Sequence, residues 1–149
     1  MRAVVQRVNC AQVRGKEGLI SKIGSGMAVL VGIDKEDTGE DVEYLASKLS
    51  NLRVFEDPAG KMNLSLKEVG GEALVISQFT LYGDCRKGRR PSFDRAAGPA
   101  KARDLYGQLL QSLRQRGIRV AEGRFQEKML VELANDGPVT ILLDSKRLF

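Results

Sequence analysis

The sequence predicts a single α/β domain in which two amphipathic helices pack on strand-rich, largely antiparallel layers. Two segments place apolar residues at helical spacing, and several shorter runs alternate apolar and polar residues as strands do. No repeat, low-complexity segment or linker interrupts the 149 residues. A chain of this length can bury one sizeable core and is too short for two ordinary domains, so residues 1–149 are predicted to form one domain.

The N-terminal part of the chain is predicted to form strands. Apolar and polar residues alternate loosely from Met1 to Val8. A hairpin is predicted for the next two runs, Cys10 to Val13 and Gly18 to Ile23. Met27 to Ile33 is apolar throughout, which is typical of a strand covered on both faces.

Two helices follow from capping signals and apolar stripes. Thr38 is the predicted N-cap of the first, with Asp41 three residues later. Its stripe comprises Val42, Leu45, Ala46, Leu49 and Leu52. Pro99 suits the first turn of the second helix, and Gly117 is its predicted end. That stripe comprises Ala102, Leu105, Tyr106, Leu109 and Leu113.

Further strands are predicted around these helices. Arg53 to Phe55 is a short one, and a central strand ends at Thr80. After the second helix we expect Ile118 to Val120, then two separate strands at Met129 to Ala134 and Val139 to Leu143.

Composition excludes several classes of function. Two cysteines are too few for a disulfide framework and wrongly spaced for zinc. No apolar run approaches a membrane span and no signal-peptide pattern is present, so we expect a cytoplasmic protein without membrane association. A net charge of +5 suits a polyanionic partner without requiring one.

The sequence contains no histidine. This removes the Ser-His-Asp and Cys-His arrangements, the usual general base near neutral pH and the commonest metal ligand. Catalysis would have to use carboxylates, lysine, hydroxyls, backbone amides or a group supplied by the substrate. We predict neither a metal nor a cofactor.

Two polar motifs interrupt apolar runs. The first, Ser77-Gln78-Phe79-Thr80-Leu81, follows the apolar part of the central strand, where a scaffold can hold a group that solvent reaches. A strand edge with solvated hydroxyls is the alternative. The second, Asn135-Asp136-Gly137-Pro138-Val139-Thr140, lies near the end of the chain.

A basic loop follows the first motif. It places four cations within five positions, among glycines: Arg86, Lys87, Arg89 and Arg90. A solvated surface loop and a loop that contacts phosphates are both open interpretations.

Together the two motifs resemble those of the D-aminoacyl-tRNA deacylases, the D-tyrosyl-tRNA deacylase family. The resemblance covers essentially the whole chain, including Gln6-Arg7-Val8, Gly60-Lys61-Met62-Asn63-Leu64 and Arg90-Pro91-Ser92-Phe93. It implies the fold of that family and a homodimeric enzyme that hydrolyses the ester of D-aminoacyl-tRNA. It also implies a cis Gly137–Pro138 bond that reaches into the pocket of the partner subunit.

Under this resemblance the reaction needs no histidine, because an aminoacyl ester is already activated. Backbone amides around Gln78, Phe79 and Thr80 would hold the ester carbonyl, and the terminal 2′-hydroxyl of tRNA would help activate water. Thr80 as a nucleophile is the alternative, but it lacks an evident base. The Phe79 ring is expected in the core.

Six residues are predicted to bind substrate: Ser77, Gly137, Pro138, Arg7, Phe125 and Met129. Phe125 and Met129 would line the adenosine pocket, with plain core packing equally open. For Arg7 a surface position is the alternative. The Gly137–Pro138 turn would exclude L side chains, while glycyl-tRNA mischarged on tRNA-Ala would be hydrolysed. A non-catalytic dimeric RNA-binding module is the second function to be tested.

Overall fold

The computed structural model describes every residue from 1 to 149. Its strands are β1 (Arg2–Gly15), β2 (Gly18–Ile23), β3 (Gly26–Gly32), β4 (Arg53–Glu56), β5 (Met62–Ser65), β6 (Glu72–Ser77), β7 (Arg119–Glu122) and β8 (Leu130–Asp144). The helices are α1 (Gly39–Asn51) and α2 (Pro99–Gln115), and Phe79–Tyr82 forms a short 3-10 helix. Neither α-helix is long and apolar enough to cross a membrane.

Six strands form one sheet in the order β2-β1-β3-β6-β7, with β8 paired to the other edge of β1. The β1 pairings are antiparallel, whereas β3–β6 and β6–β7 are parallel. The Ser21 hydroxyl donates to Glu122 O at 2.8 Å, which joins β2 to β7 and nearly closes the sheet into a barrel. Strands β4 and β5 form a separate antiparallel pair. The predicted α/β fold with largely antiparallel layers is confirmed.

Both helices begin as their sequences predict. Thr38 and Asp41 form a capping box, in which the Thr38 N–H donates to Asp41 Oδ2 at 2.8 Å. Pro99 opens α2, and Gly117 follows its end with φ of +84°, a left-handed conformation that glycine tolerates. The apolar stripes of the two helices bury against one face of the sheet, together with Val5, Val29 and Val75.

A second core fills the barrel on the other face. It contains seven fully buried residues: Val8, Ala11, Val13, Ile23, Ala28, Leu74 and Ile76. Partly buried residues of β8 and of the segment before it, among them Met129 and Val131, pack against this cluster. Residues 72–77 therefore contribute to both cores, and the end of β6 is rigidly supported.

Three predicted boundaries are wrong. β1 is one strand from Arg2 to Gly15, because β8 pairs with it along nearly its whole length. β8 is likewise one strand from Leu130 to Asp144, since the second motif is accommodated as an irregularity within the ladder. The central strand ends at Ser77, three residues early, because the chain turns into the 3-10 helix.

Buried carboxylates surround the amino group of Met1. Its nitrogen lies 2.7 Å from Asp37 Oδ1 and 2.5 Å from Ser145 Oγ. The Ser145 hydroxyl in turn donates to Asp41 Oδ1 at 2.6 Å, and Lys146 Nζ lies 2.7 Å from the same oxygen. This network ties the start of α1 to the segment after β8.

Candidate active site

The first motif lies where β6 gives way to the 3-10 helix. Ser77 pairs with Val31 in the parallel ladder, and the Gln78 N–H donates to Val31 O at 2.7 Å. The Gln78 amide is therefore occupied and unavailable to a substrate. The N–H groups of Phe79 and Thr80 open the 3-10 helix, and the first donors of a helix have no acceptor inside it.

Phe79 and Thr80 are the exposed residues of the motif, and the other three are half-buried. Gln78 Nε2 donates to Thr80 Oγ1, and Thr80 itself is exposed. The Phe79 ring is 55% exposed, so the expectation that it belongs to the core is wrong. It stacks edge-on against Phe93, with ring centroids 5.0 Å apart. The chain leaves β6 here, and the ring no longer follows the alternation that would have turned it inward.

Phe125 and Met129 lie near β6, next to residues that bond to the Val75 carbonyl. The Gly123 N–H donates to Val75 O at 3.2 Å, and a methyl group placed on Gly123 would lie 3.0 Å from Met129 Sδ. The Tyr106 hydroxyl also donates to Val75 O, at 2.8 Å, and its ring lies 6.1 Å from that of Phe125. Both side chains are half-buried, so their positions are compatible with core packing and also with forming a wall of the proposed site.

The second motif is an excursion of β8. Val8 pairs with Asn135 and Gln6 with Thr140, so residues 136–139 of β8 face Arg7 alone in β1. The Gly137–Pro138 peptide is cis, as expected from the family resemblance. Gly137 has φ of +123°, and both residues of the pair are exposed.

Arg7 lies beneath this excursion and is only 6% exposed, so the surface alternative is wrong. Its Nε donates to Asp136 O at 3.1 Å, and its Nη1 donates to Val54 O at 2.7 Å. A carboxylate oxygen of Glu56 lies 3.5 Å from Nη2. The guanidinium thus bonds to the protein through Nε and Nη1 and supports the second motif from below.

The two motifs lie far apart within one protomer. Ser77, Val31, Ala3 and Leu143 form one row across four neighbouring strands. The second motif is opposite Arg7, four residues further along β1. Three strand spacings and four residues of strand separate the motifs by roughly 20 Å. One copy of the chain therefore does not bring Thr80 and Gly137 into a single site.

The four cations of the basic loop differ in whether they are paired with a carboxylate. The Arg86 guanidinium donates to both carboxylate oxygens of Asp84, with Nη2 2.6 Å from Oδ2, and these bonds hold the pKa of Asp84 well below its ordinary value. Lys87, Arg89 and Arg90 are exposed and form no ion pair. Most of the free charge of the loop therefore belongs to these three residues.

Some contacts around the site were not anticipated. The carbonyls of Val31 and Val54 hold Gln78 and Arg7, and a backbone carbonyl has no signature in the sequence. Phe93 belongs to the segment Arg90-Pro91-Ser92-Phe93, which shares in the family resemblance, but only the folded chain shows that its ring contacts Phe79. No group of three or more Cys, Asp or Glu side chains has a geometry that could hold a metal ion.

Known proteins are similar to this chain in sequence and in fold. The model of the D-Tyr-tRNA(Tyr) deacylase family matches residues 4–144. The chain is 57% identical to a D-aminoacyl-tRNA deacylase of Thermotoga petrophila and 54% identical to one of Clostridioides difficile, each over 100% of both chains.

Among solved structures, c-Myc DNA unwinding element binding protein matches with a TM-score of 0.91 and 42% identity, over 97% of this chain and 98% of that one. A probable eukaryotic D-amino acid tRNA deacylase matches with a TM-score of 0.82 over 95% and 97% of the two chains; at 18% identity this shows a common fold. The resemblance inferred from the two motifs is confirmed, and the chain belongs to the D-Tyr-tRNA(Tyr) deacylase family.

Proposed function

We propose that this protein hydrolyses the ester bond of D-aminoacyl-tRNA and releases the free D-amino acid and tRNA. Full-length identity above 50% to proteins named D-aminoacyl-tRNA deacylase supports the reaction. The structural observation that carries it is the pair of adjacent N–H groups, of Phe79 and Thr80, at a rigidly supported strand end. The proposal includes a cytoplasmic location, where aminoacyl-tRNA is used.

In this mechanism the two amide N–H groups donate hydrogen bonds to the ester carbonyl oxygen and stabilise the negative charge that develops there. Water attacks the carbonyl carbon, the bond to the terminal ribose oxygen breaks, and that oxygen takes a proton. The neighbouring 2′-hydroxyl assists the attacking water. Thr80 bonds to Gln78 and has no neighbouring base, which argues against a covalent intermediate on its hydroxyl.

Substrate selection is assigned to Gly137 and Pro138 of a second subunit. Their distance from Thr80 in one protomer leaves the site incomplete without a partner. Proline fixes its own φ, and Arg7 supports the segment from below, so the turn can act as a stiff wall. Its carbonyls would bind the α-amino group and occupy the space that an L side chain needs. Glycine has no side chain to exclude, so glycyl-tRNA is also a substrate.

An apolar surface supports the homodimer. Leu30, Val4 and Leu142 form one row across β3, β1 and β8, on the face opposite the helices. Leu142 is 57% exposed, and the other two are half-buried. Leu142→Asp is expected to yield monomers by sedimentation and to abolish deacylation. Leu19→Asp, at a similarly exposed leucine of β2, is the matched control and should change neither property.

Deacylation of D-tyrosyl-, L-tyrosyl- and glycyl-tRNA by one preparation tests the proposal. We expect release from the D and glycyl substrates and sparing of the L substrate. Binding of tRNA without release of D-tyrosine would instead identify an RNA-binding module that uses the exposed cations of the basic loop. Strong cleavage of the L form would show that the chiral selection has another origin.

A further inference from the structure

We propose that Asn135 is a positioning residue that holds the Gly137–Pro138 tip in place and thereby sets the discrimination between D and L substrates. The inference rests on the proposed function and concerns how the wall is held. Asn135 lies just before the excursion and is half-buried, whereas Gly137 and Pro138 at the tip are exposed.

The excursion has no partner strand of its own. Between the Val8–Asn135 and Gln6–Thr140 pairs, β1 contributes one residue and β8 contributes four, residues 136–139. Ladder pairing therefore fixes only the two ends of the segment. Between them, Val139 packs against the main core, and the exposed tip also depends on hydrogen bonds made by side chains.

The Asn135 amide supplies two such bonds. Its Oδ1 accepts the Val139 N–H at 3.0 Å, and its Nδ2 donates to Thr140 Oγ1 at 3.1 Å. Thr140 Oγ1 also accepts from Gln6 Nε2 at 3.3 Å, which extends the connection to β1. The side chain thus spans the base of the excursion and closes it on the Val139 side.

Arg7 performs the complementary task on the Asp136 side, through Asp136 O. The tip is consequently held from both ends, and loss of either support lets it move as a unit. A displacement of about 1 Å at a positioning element costs up to ~100-fold in rate. The same displacement opens space for an L side chain, so the ratio of D to L activities falls even where the rate on the D substrate survives.

Asn135→Leu keeps the size of the side chain and removes both bonds, whereas Asn135→Asp keeps acceptors for the Val139 N–H and for the rotated Thr140 hydroxyl. Thr140→Val and Thr140→Ser form a second matched pair, one without and one with the hydroxyl. Asn51→Leu is the control, since Asn51 bonds to Ser47 O within α1, in another element of the fold.

The measurement is kcat/KM on D-tyrosyl- and L-tyrosyl-tRNA, with the dimer and the melting temperature recorded for each variant. We expect the D:L ratio to fall about tenfold or more in Asn135→Leu, less in Thr140→Val, and to recover in Asn135→Asp and Thr140→Ser. Asn51→Leu is expected to keep the ratio of the unmodified protein.

An unchanged D:L ratio in a folded, dimeric Asn135→Leu variant would overturn the inference, whether the two rates stay the same or fall by the same factor. Neither result touches the proposed function, which is tested by the unmodified protein alone. Failure of that protein to release D-tyrosine would overturn both.

Discussion

The Gln78 N–H donates to Val31 O at 2.7 Å, and this bond decides which amides of the first motif can serve a substrate. It extends the β3–β6 ladder by one residue and stops there. The next two N–H groups, of Phe79 and Thr80, begin the 3-10 helix. The proposed carbonyl site therefore comprises two amides instead of three, and Gln78 contributes through its side chain, which bonds to Thr80.

Phe79→Pro is expected to abolish the activity while Phe79→Ala retains most of it. Both remove the ring, but only proline removes the amide. Gln78 has φ of −142° and ψ of 85°, which lies outside the α region that a following proline disfavours, and proline suits the first position of a helix. Loss of one carbonyl-stabilising donor lowers kcat about 100- to 1,000-fold. Single-turnover deacylation measures this, and equal rates for the two variants would contradict the amide assignment.

Thr80→Ala is expected to retain much of the deacylation rate, because the amide remains and only the bond to Gln78 is lost. Single-turnover kinetics and mass spectrometry of the quenched enzyme provide the measurements. A dead but folded alanine variant, or an acyl group found on Thr80, would assign the hydroxyl as nucleophile.

Gly137→Ala is expected to destabilise the protein and to reduce activity. A methyl group there would lie 2.8 Å from Val139 Cγ2 and 3.2 Å from Arg7 Nη2, at a φ of +123° that favours glycine. The cost is on the order of 1–3 kcal/mol, which thermal denaturation detects. Gly98→Ala is the control, since its methyl group would meet no atom within 4 Å. Equal melting temperatures for the two variants would contradict this prediction.

Replacement of Lys87, Arg89 and Arg90 by alanine is expected to weaken tRNA binding and flatten its salt dependence. The slope of log K against log salt is negative, and each lost phosphate contact reduces its magnitude by about one unit or less. Arg86→Ala is expected to have a smaller effect, because Asp84 already neutralises Arg86.

Equilibrium binding of tRNA at several salt concentrations measures these slopes. A triple alanine variant of Lys16, Lys48 and Arg147 removes the same charge elsewhere on the surface. If the magnitude of the slope falls equally in both triple variants, net charge governs binding and the position of the loop does not.

Acid is expected to destabilise the protein through Asp41. Burial opposes its ionisation, but bonds from Lys146, Ser145 and Thr38 outweigh this and hold the pKa of Asp41 well below its ordinary value. Because the folded pKa is the lower one, the stabilisation is present at neutral pH and is lost as the pH falls below about 5.

Asp41→Asn is therefore expected to lower the melting temperature at pH 7 and to reduce its decline between about pH 5 and pH 3. Asp94→Asn, at an exposed carboxylate, provides the control. An unaltered acid decline in Asp41→Asn would show that the acid sensitivity does not arise from Asp41.

Local patterns predicted the elements well wherever neighbouring residues decide the conformation. The Thr38–Asp41 capping box and Pro99 are signals within one turn of helix, and both α-helices begin where these signals place them. The strand boundaries were less accurate. A bulge such as residues 136–139 depends on the partner strand. The sequence pattern therefore predicted two separate strands where the structure has the single strand β8.

Residue identity and short-range spacing were enough to predict the family, the two motifs, the two helices and a chemistry without histidine. The burial of Arg7 beneath Gly137, the occupied Gln78 amide and the exposed Phe79 ring were evident only from the folded chain. The separation of the two motifs in one protomer was evident only there as well. Each of these features depends on which strand or backbone carbonyl lies opposite the residue. Pairing between distant segments of the chain sets that neighbour, and a short stretch of sequence does not reveal it.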